Sequence, residues 1–295
     1  MNSFLRAIGF SKYTTKKSIQ SIVSDASLYP EYMDFINTDT EGKIYEFNNH
    51  YGDSFGIKFY GTEADDFSYD IDYYTPYIEG NHYFYPQDLC IEKRYSGFNF
   101  IASCEDLRVG VSIIFHLLNP IDYVNFLYDE AENGTHQQYT VAFSALSFNG
   151  TILLPISQSP GDQEKKKDSI NRRASLIAAA RRGDESAIES LTFEDMDTYA
   201  KISKRIRNED IFTIVESSFM PYGLESDLYT IITDIESVKL TKNTLTGESV
   251  YIMTLNYNGI KIDTAINAAD LIGEPIAGRR FKGTIWLQGK IKFVK

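Results

Sequence analysis

The pair Asp70 and Asp72, with Tyr73 beside it, has the residue types and spacing of a small reaction centre. The surrounding residues alternate like a strand, so side chains two positions apart are expected on one face. Two carboxylates on one face can bind a divalent metal ion or act as general acid and base. Tyrosines beside carboxylates suit sugar hydroxyls or a basic protein partner better than a phosphate. The same pattern is also typical of a solvated edge strand, whose charges prevent pairing with another sheet.

Three basic residues near the carboxyl end have the composition of a phosphate-binding cluster. Arg279, Arg280 and Lys282 surround Phe281 just before a predicted strand. Cations beside an aromatic ring can hold the phosphates of single-stranded nucleic acid while a base stacks on the ring. On a small β-domain, however, such a cluster is more often surface charge.

Two further motif-like segments are better explained as turns. Residues 52–56 match the G-x-S-x-G pattern of hydrolases, whose serine must follow an apolar strand and precede a helix. Here polar residues precede Ser54 and a strand-like run follows it, so a hairpin turn is predicted. Residues 37–48 partly follow a calcium-binding EF-hand loop, but Asn48 replaces the bidentate glutamate. A polar hairpin loop is therefore predicted there, with calcium as the alternative.

The histidines and glycines give no support for a cofactor. The 4 histidines are dispersed and follow no zinc-binding spacing. The sequence contains neither a P-loop nor the G-x-G-x-x-G pattern of dinucleotide-binding proteins. We therefore expect no metal ion and no cofactor, and neither nucleotide hydrolysis nor dinucleotide redox chemistry is supported.

The 2 cysteines are too few for a disulfide framework, and a cytoplasmic location is expected. A hairpin turning at residues 96–97 would bring Cys90 and Cys104 roughly opposite each other, so they could form a bridge. In a reducing compartment two buried thiols are the expected state. The first residues contain no apolar run long enough for a signal peptide, and no run reaches the length of a membrane span.

The charge of the chain is unevenly divided. Its 295 residues include 41 acidic and 29 basic ones, a net charge of −12. Residues 1–157 contain 21 acidic and 9 basic residues and carry the whole excess, while residues 158–295 contain 20 of each. Nucleic acid is therefore not an expected partner of the first part, and it remains open only for the C-terminal part. No membrane partner is expected.

Residues 1–157 are predicted to form an acidic, aromatic-rich α+β domain. A strand at residues 4–10 and a helix capped by Thr14 or Thr15 precede several short alternating runs. A helix starting at Pro120 and a hairpin turning at residues 149–150 follow. This order suits two βαβββ modules, the paired arrangement of glyoxalase-like folds. One irregular antiparallel sheet is the alternative.

The remaining residues are predicted to form two further segments. Residues 158–207 begin with a turn-forming stretch and a basic run and then show the spacing of three helices. Residues 208–295 read as a small domain of five strands, with a short helix between the third and the fourth. This is the strand order of an OB-type barrel, and another small β-barrel or sandwich is the alternative. The predicted fold class is therefore α+β.

Four segments spread along the chain carry a family resemblance. Residues 4–11, 183–192, 219–223 and 273–283 resemble an uncharacterised family of gut clostridia, which is known only as a domain of unknown function. The resemblance covers nearly the whole chain. It implies a bacterial cytoplasmic protein whose two halves form one inherited unit. It implies no activity, so no functional residue is carried over.

Two hypotheses about function follow. The first is a non-catalytic, two-domain binding or adaptor protein, whose acidic, aromatic N-terminal domain contacts a protein or small-ligand partner and whose C-terminal barrel binds a ligand, with single-stranded nucleic acid as one candidate. Arg279, Arg280 and Lys282 are then the residues to test. The alternative is a metal-assisted hydrolase in which Asp70 and Asp72 are metal ligands or acid and base.

Overall fold

A computed structural model of the protein describes residues 2–28, 30–38, 42–64, 68–94, 98–133, 138–156, 162–205, 211–223 and 227–294. It shows a mixed α/β chain in which strands predominate. The helices are α1 (Asn2–Ala7), α2 (Lys16–Leu28), α3 (Pro120–Asn133), α4 (Asp162–Arg181), α5 (Glu185–Arg205) and α6 (Ile211–Ile214). The strands are β1 (Tyr32–Thr38), β2 (Gly42–His50), β3 (Phe55–Glu63), β4 (Tyr69–Ile78), β5 (Tyr83–Phe84), β6 (Gln87–Lys93), β7 (Phe100–Glu105), β8 (Ser112–Leu117), β9 (Gln138–Leu153), β10 (Ser218–Pro221), β11 (Leu228–Lys242), β12 (Ser249–Tyr257), β13 (Ile260–Asn267), β14 (Leu271–Ile272) and β15 (Arg280–Val294).

Strands β1 to β4 form an antiparallel sheet in chain order, which we call the N-terminal sheet. Alternation gives it two faces of different character. One face carries aromatic and aliphatic side chains, including Phe47 and Phe59, which pack in a core with α1 and α2. The other face is apolar at one end and polar at the other. A bulge at Asp72 of β4 lies opposite Tyr60 and Gly61, and a Cβ on Gly61 would lie 2.1 Å from the backbone oxygen of Asp70.

The polar face of the N-terminal sheet is ordered in rows by the strand register. Tyr32, Asn48, Lys58 and Thr75 are cross-strand neighbours in one row. The next row begins with Asp34 and Glu46 and continues into buried tyrosines. Cross-strand neighbours on one face lie about 5 Å apart, so these side chains are in mutual reach.

The second sheet contains a closed ring of five strands. β11 pairs with β12, β12 with β13, β13 with β9, β9 with β15, and β15 again with β11. All of these pairs are antiparallel except β13 with β9, which is parallel. β8, β7 and β6 extend the sheet outward from β15. The ring removes the open edges that a sheet of long strands would otherwise expose.

The helices α4 and α5 form an antiparallel hairpin, which we call the helical hairpin. It turns at Gly183, whose φ of +85° favours glycine. Asp184 caps α5 by accepting hydrogen bonds from the backbone N–H groups of Ser186 and Ala187. An ion pair between Arg181 and Glu105 fastens the hairpin to β7. Within the described residues, no helix combines the length and the apolarity that crossing a membrane requires.

The first predicted element is wrong, and with it the predicted order of the N-terminal domain. Residues 4–10 were expected to be a strand, but residues 4–7 lie in α1 and residues 8–10 follow it, and Leu5 and Ile8, one helical turn apart, are buried in the same core. Two helices therefore precede four consecutive strands, and the paired βαβββ order is not observed. The coarser prediction of a mixed chain of helices and strands is confirmed.

Two predicted breaks in strands are also wrong. Asn149 and Gly150 do not turn a hairpin, because they pair with Thr284 and Gly283 in the middle of the continuous strand β9. The fourth and fifth strands predicted within residues 208–295, at 281–287 and 290–294, are likewise one strand, β15. In both cases long cross-strand pairing overrides a local turn signal. The second and the third of the three helices predicted within residues 158–207 are also joined, in α5.

These joined strands change which residues close the ring. The predicted barrel took all five strands from residues 208–295, whereas the fifth strand of the ring is β9, from the first segment. The residues of the predicted boundary, 157–161, lie outside the described residues. The division into 1–157, 158–207 and 208–295 stays a prediction, and its first and last segments share one sheet.

Candidate functional site

The polar end of the N-terminal sheet forms one side of a cleft of about 250 Å³, which we call the polar cleft. The start of α3 and one position of β15 form the other side. Its lining residues are Tyr32, Asp34, Glu46, Asn48, Lys58, Tyr77, Glu79, Leu118, Asn119, Ile121, Asp122 and Lys290. Most of these side chains are polar or charged, which distinguishes the cleft from the apolar clusters on either side.

A buried ion pair lies at the base of the polar cleft. The Lys58 Nζ donates a hydrogen bond of 2.6 Å to the Glu46 Oε1, and the two side chains are only 15% and 7% exposed. The register places these residues on adjacent strands of one face, so the sheet itself brings them together. Because each charge neutralises the other, neither is available in full to a ligand.

Asn119 fixes the opposite side of the polar cleft. Its Nδ2 donates to the Ile291 backbone oxygen at 2.7 Å and to the Asp122 Oδ2 at 2.8 Å. Its Oδ1 accepts from the Ile291 backbone N–H at 3.0 Å. These bonds hold the start of α3 against β15, next to Lys290, so the two elements that form this side of the cleft are fixed to each other.

Two tyrosines line the polar cleft, Tyr32 at its exposed rim and Tyr77 in its buried part. The Tyr77 hydroxyl donates to the Asn48 Oδ1 at 2.8 Å, and burial raises the pKa of this tyrosine. The negative charge of Asp34, together with burial, raises the pKa of Tyr32. Both hydroxyls therefore keep their protons at neutral pH, and because the Tyr77 proton is already donated to Asn48, Tyr77 offers a ligand only an acceptor oxygen.

The charges at the polar cleft do not balance. Among the described residues, Asp34, Glu79 and Asp122 form no ion pair, and neither does Lys290. With Lys58 neutralised by Glu46, three carboxylates therefore face a single free ammonium group. An incoming cation would meet a net negative surface there.

A polar seam continues from the polar cleft into the interior. The Thr75 Oγ1 lies 3.3 Å from the His116 Nε2, and the His116 ring lies 4.9 Å from that of Trp286. The Trp286 Nε1 donates to the Asp227 Oδ2 at 3.0 Å, and Arg94 pairs with the same oxygen at 3.2 Å. All of these groups except Arg94 are buried. The seam joins the N-terminal sheet to the five-stranded ring.

His116 is expected to make folding sensitive to acid. Burial, and secondarily the positive charges of Arg94 and Lys58, lower its pKa to about 4, against an opposing effect of Asp227. Because the unfolded chain takes up the proton near pH 6.5, the stabilisation is present above that pH and is lost as the pH falls toward 4. We expect this group to account for about 2 to 3 kcal/mol of the fall in unfolding free energy between pH 7 and pH 4.

The His116 prediction is checked by urea denaturation at a series of pH values. The variant His116→Gln should lose this part of the pH dependence. The variant His50→Gln is the matched control, because His50 is exposed and pairs with Glu31 at the surface. If both variants keep the slope of the unchanged protein, His116 is not its source.

The predicted acidic pair does not belong to the polar cleft. Asp70 and Asp72 are exposed on β4, which is an edge strand of the N-terminal sheet. Tyr73 is buried opposite Tyr60 of β3. Burial raises its pKa to about 12. The neighbouring Asp65 and Asp66 lie outside the described residues. Within the described part of the chain, no three His, Cys, Asp or Glu side chains are close enough to hold a metal ion.

The predicted basic cluster is largely occupied by contacts within the protein. Arg280 is 4% exposed and donates three hydrogen bonds to backbone oxygens, those of Leu154, Phe212 and Val215. The Lys282 Nζ lies 4.1 Å from the centroid of the Phe212 ring. Arg279 donates to the backbone oxygen of Glu274 at 2.8 Å. Arg280 therefore faces the interior and is not available to a phosphate.

The remaining motif-like segments have structural roles or fall outside the described residues. Residues 51–54 form the turn between β2 and β3, so the predicted turn is present, while Phe55 and Gly56 already belong to β3, and Asp53 pairs with Lys239. Residues 39–41 of the EF-hand-like segment lie outside the described residues. Cys90 is opposite Ser103, not Cys104, so the two thiols are on different faces of the sheet and are free. Burial raises the pKa of Cys104 to about 12.

Sequence reasoning missed the residues that line the polar cleft. Glu46 and Lys58 lie within predicted strands. A charged residue that alternates with aromatic residues along such a strand indicates a polar position on one face of the sheet, and this signal could have been used. The packing of α3 and β15 against that face cannot be seen locally, because it joins positions more than 150 residues apart.

The comparisons with known proteins give a family but no relative of known activity. The model of a family described as a domain of unknown function from an E. rectale gene (DUF3881) matches residues 5–289. No curated protein matches the chain. No solved structure matches it either. Since the match covers nearly the whole chain, as the sequence resemblance predicted, the protein belongs to the DUF3881 family.

Proposed function

We propose that the protein is a binding protein that takes up a small, amine-bearing molecule in the polar cleft. The observation that carries this proposal is the charge imbalance there. Asp34, Glu79 and Asp122 have no ion-pair partner among the described residues, while Lys58 is neutralised by Glu46. An ammonium group can neutralise these carboxylates and donate a hydrogen bond to each of them, because it is a compact cation with three N–H donors.

The size of the polar cleft limits the ligand to a small one. Its volume of about 250 Å³ is below the range of roughly 300 to 1,000 Å³ that is usual for drug-sized ligands. A diamine or a dibasic amino acid is of suitable size. Lys290 adds one free ammonium at the rim, which would accommodate the carboxylate of an amino acid. The hydroxyls of Tyr32 and Tyr77 supply further hydrogen bonds.

Binding is better supported than catalysis by the arrangement of these groups. Glu46 is held by Lys58 and so is a poor general base. The pair that would have served a hydrolase, Asp70 and Asp72, is exposed and does not line the polar cleft. A catalytic carboxylate has to be within hydrogen-bond reach of the proton that it transfers.

In this proposal the C-terminal part is a scaffold and not a second ligand site. The five-stranded ring has the pairing order that we assign to an OB-like barrel, with β9 in the place of the fifth strand. The loop between β11 and β12 is covered by the chain after α1, since the Asn243 Nδ2 and the Thr246 Oγ1 donate to the backbone oxygens of Ile8 and Gly9. Together with the buried Arg280, this makes nucleic acid a less favoured partner.

The proposal is tested by titrating the protein with cadaverine, a five-carbon diamine, in a calorimeter. The variant Glu79→Gln should bind cadaverine about tenfold more weakly, because loss of one charge-assisted hydrogen bond costs on the order of 1.4 kcal/mol. The variant Asp72→Asn is the matched control. It removes one negative charge from an exposed position of β4 outside the polar cleft, and its affinity for cadaverine should be unchanged.

Two results would overturn the proposal. One is a Glu79→Gln variant that binds cadaverine as tightly as the unchanged protein. The other is an Asp72→Asn variant that loses as much affinity as Glu79→Gln, because the diamine would then respond only to the overall negative charge of the N-terminal sheet.

A further inference from the structure

The outward face of α5 carries an apolar stripe that no part of the described chain covers. Phe193, Met196 and Tyr199 are 70%, 64% and 75% exposed, although each is a large apolar or aromatic side chain. Their spacing of three residues places them on one face of the helix. Ala187, on the opposite face, is buried. Exposed apolar patches of this kind are typical of interaction surfaces.

The free charges of α5 lie toward its two ends. Glu194 and Asp195 pair with Arg172 and Arg173 of α4, and Asp197 pairs with Lys201, so these charges are compensated within the helical hairpin. Among the described residues, Glu185 and Glu189 near the start of α5 and Lys204 near its end form no ion pair. A second α5 running in the opposite direction would place its Lys204 beside the Glu189 of the first. The free charges of the helix are therefore complementary to themselves only in the antiparallel orientation.

We propose that the protein forms a homodimer through α5, with two antiparallel copies of the helix related by a two-fold axis near Met196. Around that axis Phe193 of one copy packs against Tyr199 of the other, and the reverse contact follows by symmetry. Glu189 lies opposite Lys204 of the second copy. Aromatic pairs of this kind add stabilisation beyond the apolar area that they bury.

The expected dimer is weak, because two single helices form a small interface. A stable protein–protein interface buries about 1,200 to 2,000 Å² of accessible surface. We expect the area buried between two single helices to be at or below the lower end of that range. We therefore expect a dissociation constant on the order of 10 µM. The dimer should form and dissociate as the protein concentration is changed across that value.

The first test is sedimentation velocity at protein concentrations that span the expected dissociation constant. The unchanged protein should shift from monomer to dimer, and Met196→Glu should remain monomeric. The matched control is Leu154→Glu, at an exposed leucine outside the helical hairpin (74% exposed), which should dimerise as before. A monomer at every concentration would overturn the proposal and leave the stripe to a different protein partner. A dimer that Met196→Glu does not weaken would overturn it as well.

The second test distinguishes antiparallel from parallel pairing. In a Cys90→Ser background, Met196→Cys should form a disulfide-linked dimer on mild oxidation, because the two cysteines lie near the axis. Glu185→Cys should not, because antiparallel pairing separates the two helix starts by roughly 30 Å at 1.5 Å per residue. Equal cross-linking of both variants would contradict the antiparallel dimer.

Discussion

Replacing Arg280 by alanine is expected to destabilise the protein by about 3 to 5 kcal/mol, because three hydrogen bonds from a buried charge would be lost together. Its Nε, Nη1 and Nη2 donate to the backbone oxygens of Leu154, Val215 and Phe212 at 3.0, 2.8 and 2.6 Å. Those oxygens belong to the segment after β9 and to the segment around α6, so one side chain fastens both to β15. Burial lowers the pKa of Arg280, yet the guanidinium stays charged at neutral pH.

The Arg280 prediction is checked by urea denaturation, with the neighbouring residue as the control. Arg279→Ala removes the same charge but only one hydrogen bond, at the surface, and should cost no more than about 1 kcal/mol. Arg280→Lys should fall between the two, because an ammonium cannot reproduce the planar fork of donors. Equal stability of Arg279→Ala and Arg280→Ala would show that Arg280 is a surface charge after all.

Replacing Lys58 by methionine is expected to cost about 3 to 5 kcal/mol, because it leaves the Glu46 carboxylate buried without its cation. The Lys58 and Glu46 side chains are 15% and 7% exposed, so water cannot replace the lost partner. Methionine keeps the volume of the aliphatic stem, and the change is therefore mainly electrostatic. The measurement is again the free energy of unfolding in urea, which does not screen charges.

Lys239→Met is the matched control for Lys58→Met. Lys239 pairs with Asp53, but these side chains are 59% and 68% exposed. An exposed pair contributes about 0 to 1 kcal/mol, so this variant should be nearly as stable as the unchanged protein. The double variant Lys58→Met with Glu46→Leu should recover much of the loss, since it removes both charges. If Lys58→Met and Lys239→Met cost the same, the pair below the polar cleft is not buried in solution.

Local patterns in the sequence predicted many elements but not how they meet. The cap before α2, the proline that starts α3 and the alternation of β2 to β4 are signals within a few residues, and the structure contains these elements. Asn149 and Gly150 form an equally good local signal, and it fails because β15 pairs with β9 through both positions. A partner more than 130 residues away decides that outcome.

The same limitation explains the prediction of the site. Asp70, Asp72 and Arg280 attracted attention because of their types and spacing, which say nothing about burial. The structure places the two aspartates at an exposed edge and the arginine in the interior. Glu46 and Asp122 were not predicted as site residues, because they come together only when α3 packs across the N-terminal sheet. A cleft between elements distant in sequence has no local signature.

The most direct test of the amine-binding polar cleft is a calorimetric comparison of cadaverine with 1,5-pentanediol on the unchanged protein. The two molecules have the same length and hydrogen-bonding ends and differ mainly in the charge of those ends. The proposal predicts that cadaverine binds at one site at least tenfold more tightly than the diol, on the order of 1.4 kcal/mol, and more weakly as salt is added. Equal affinities for the diamine and the diol would contradict it.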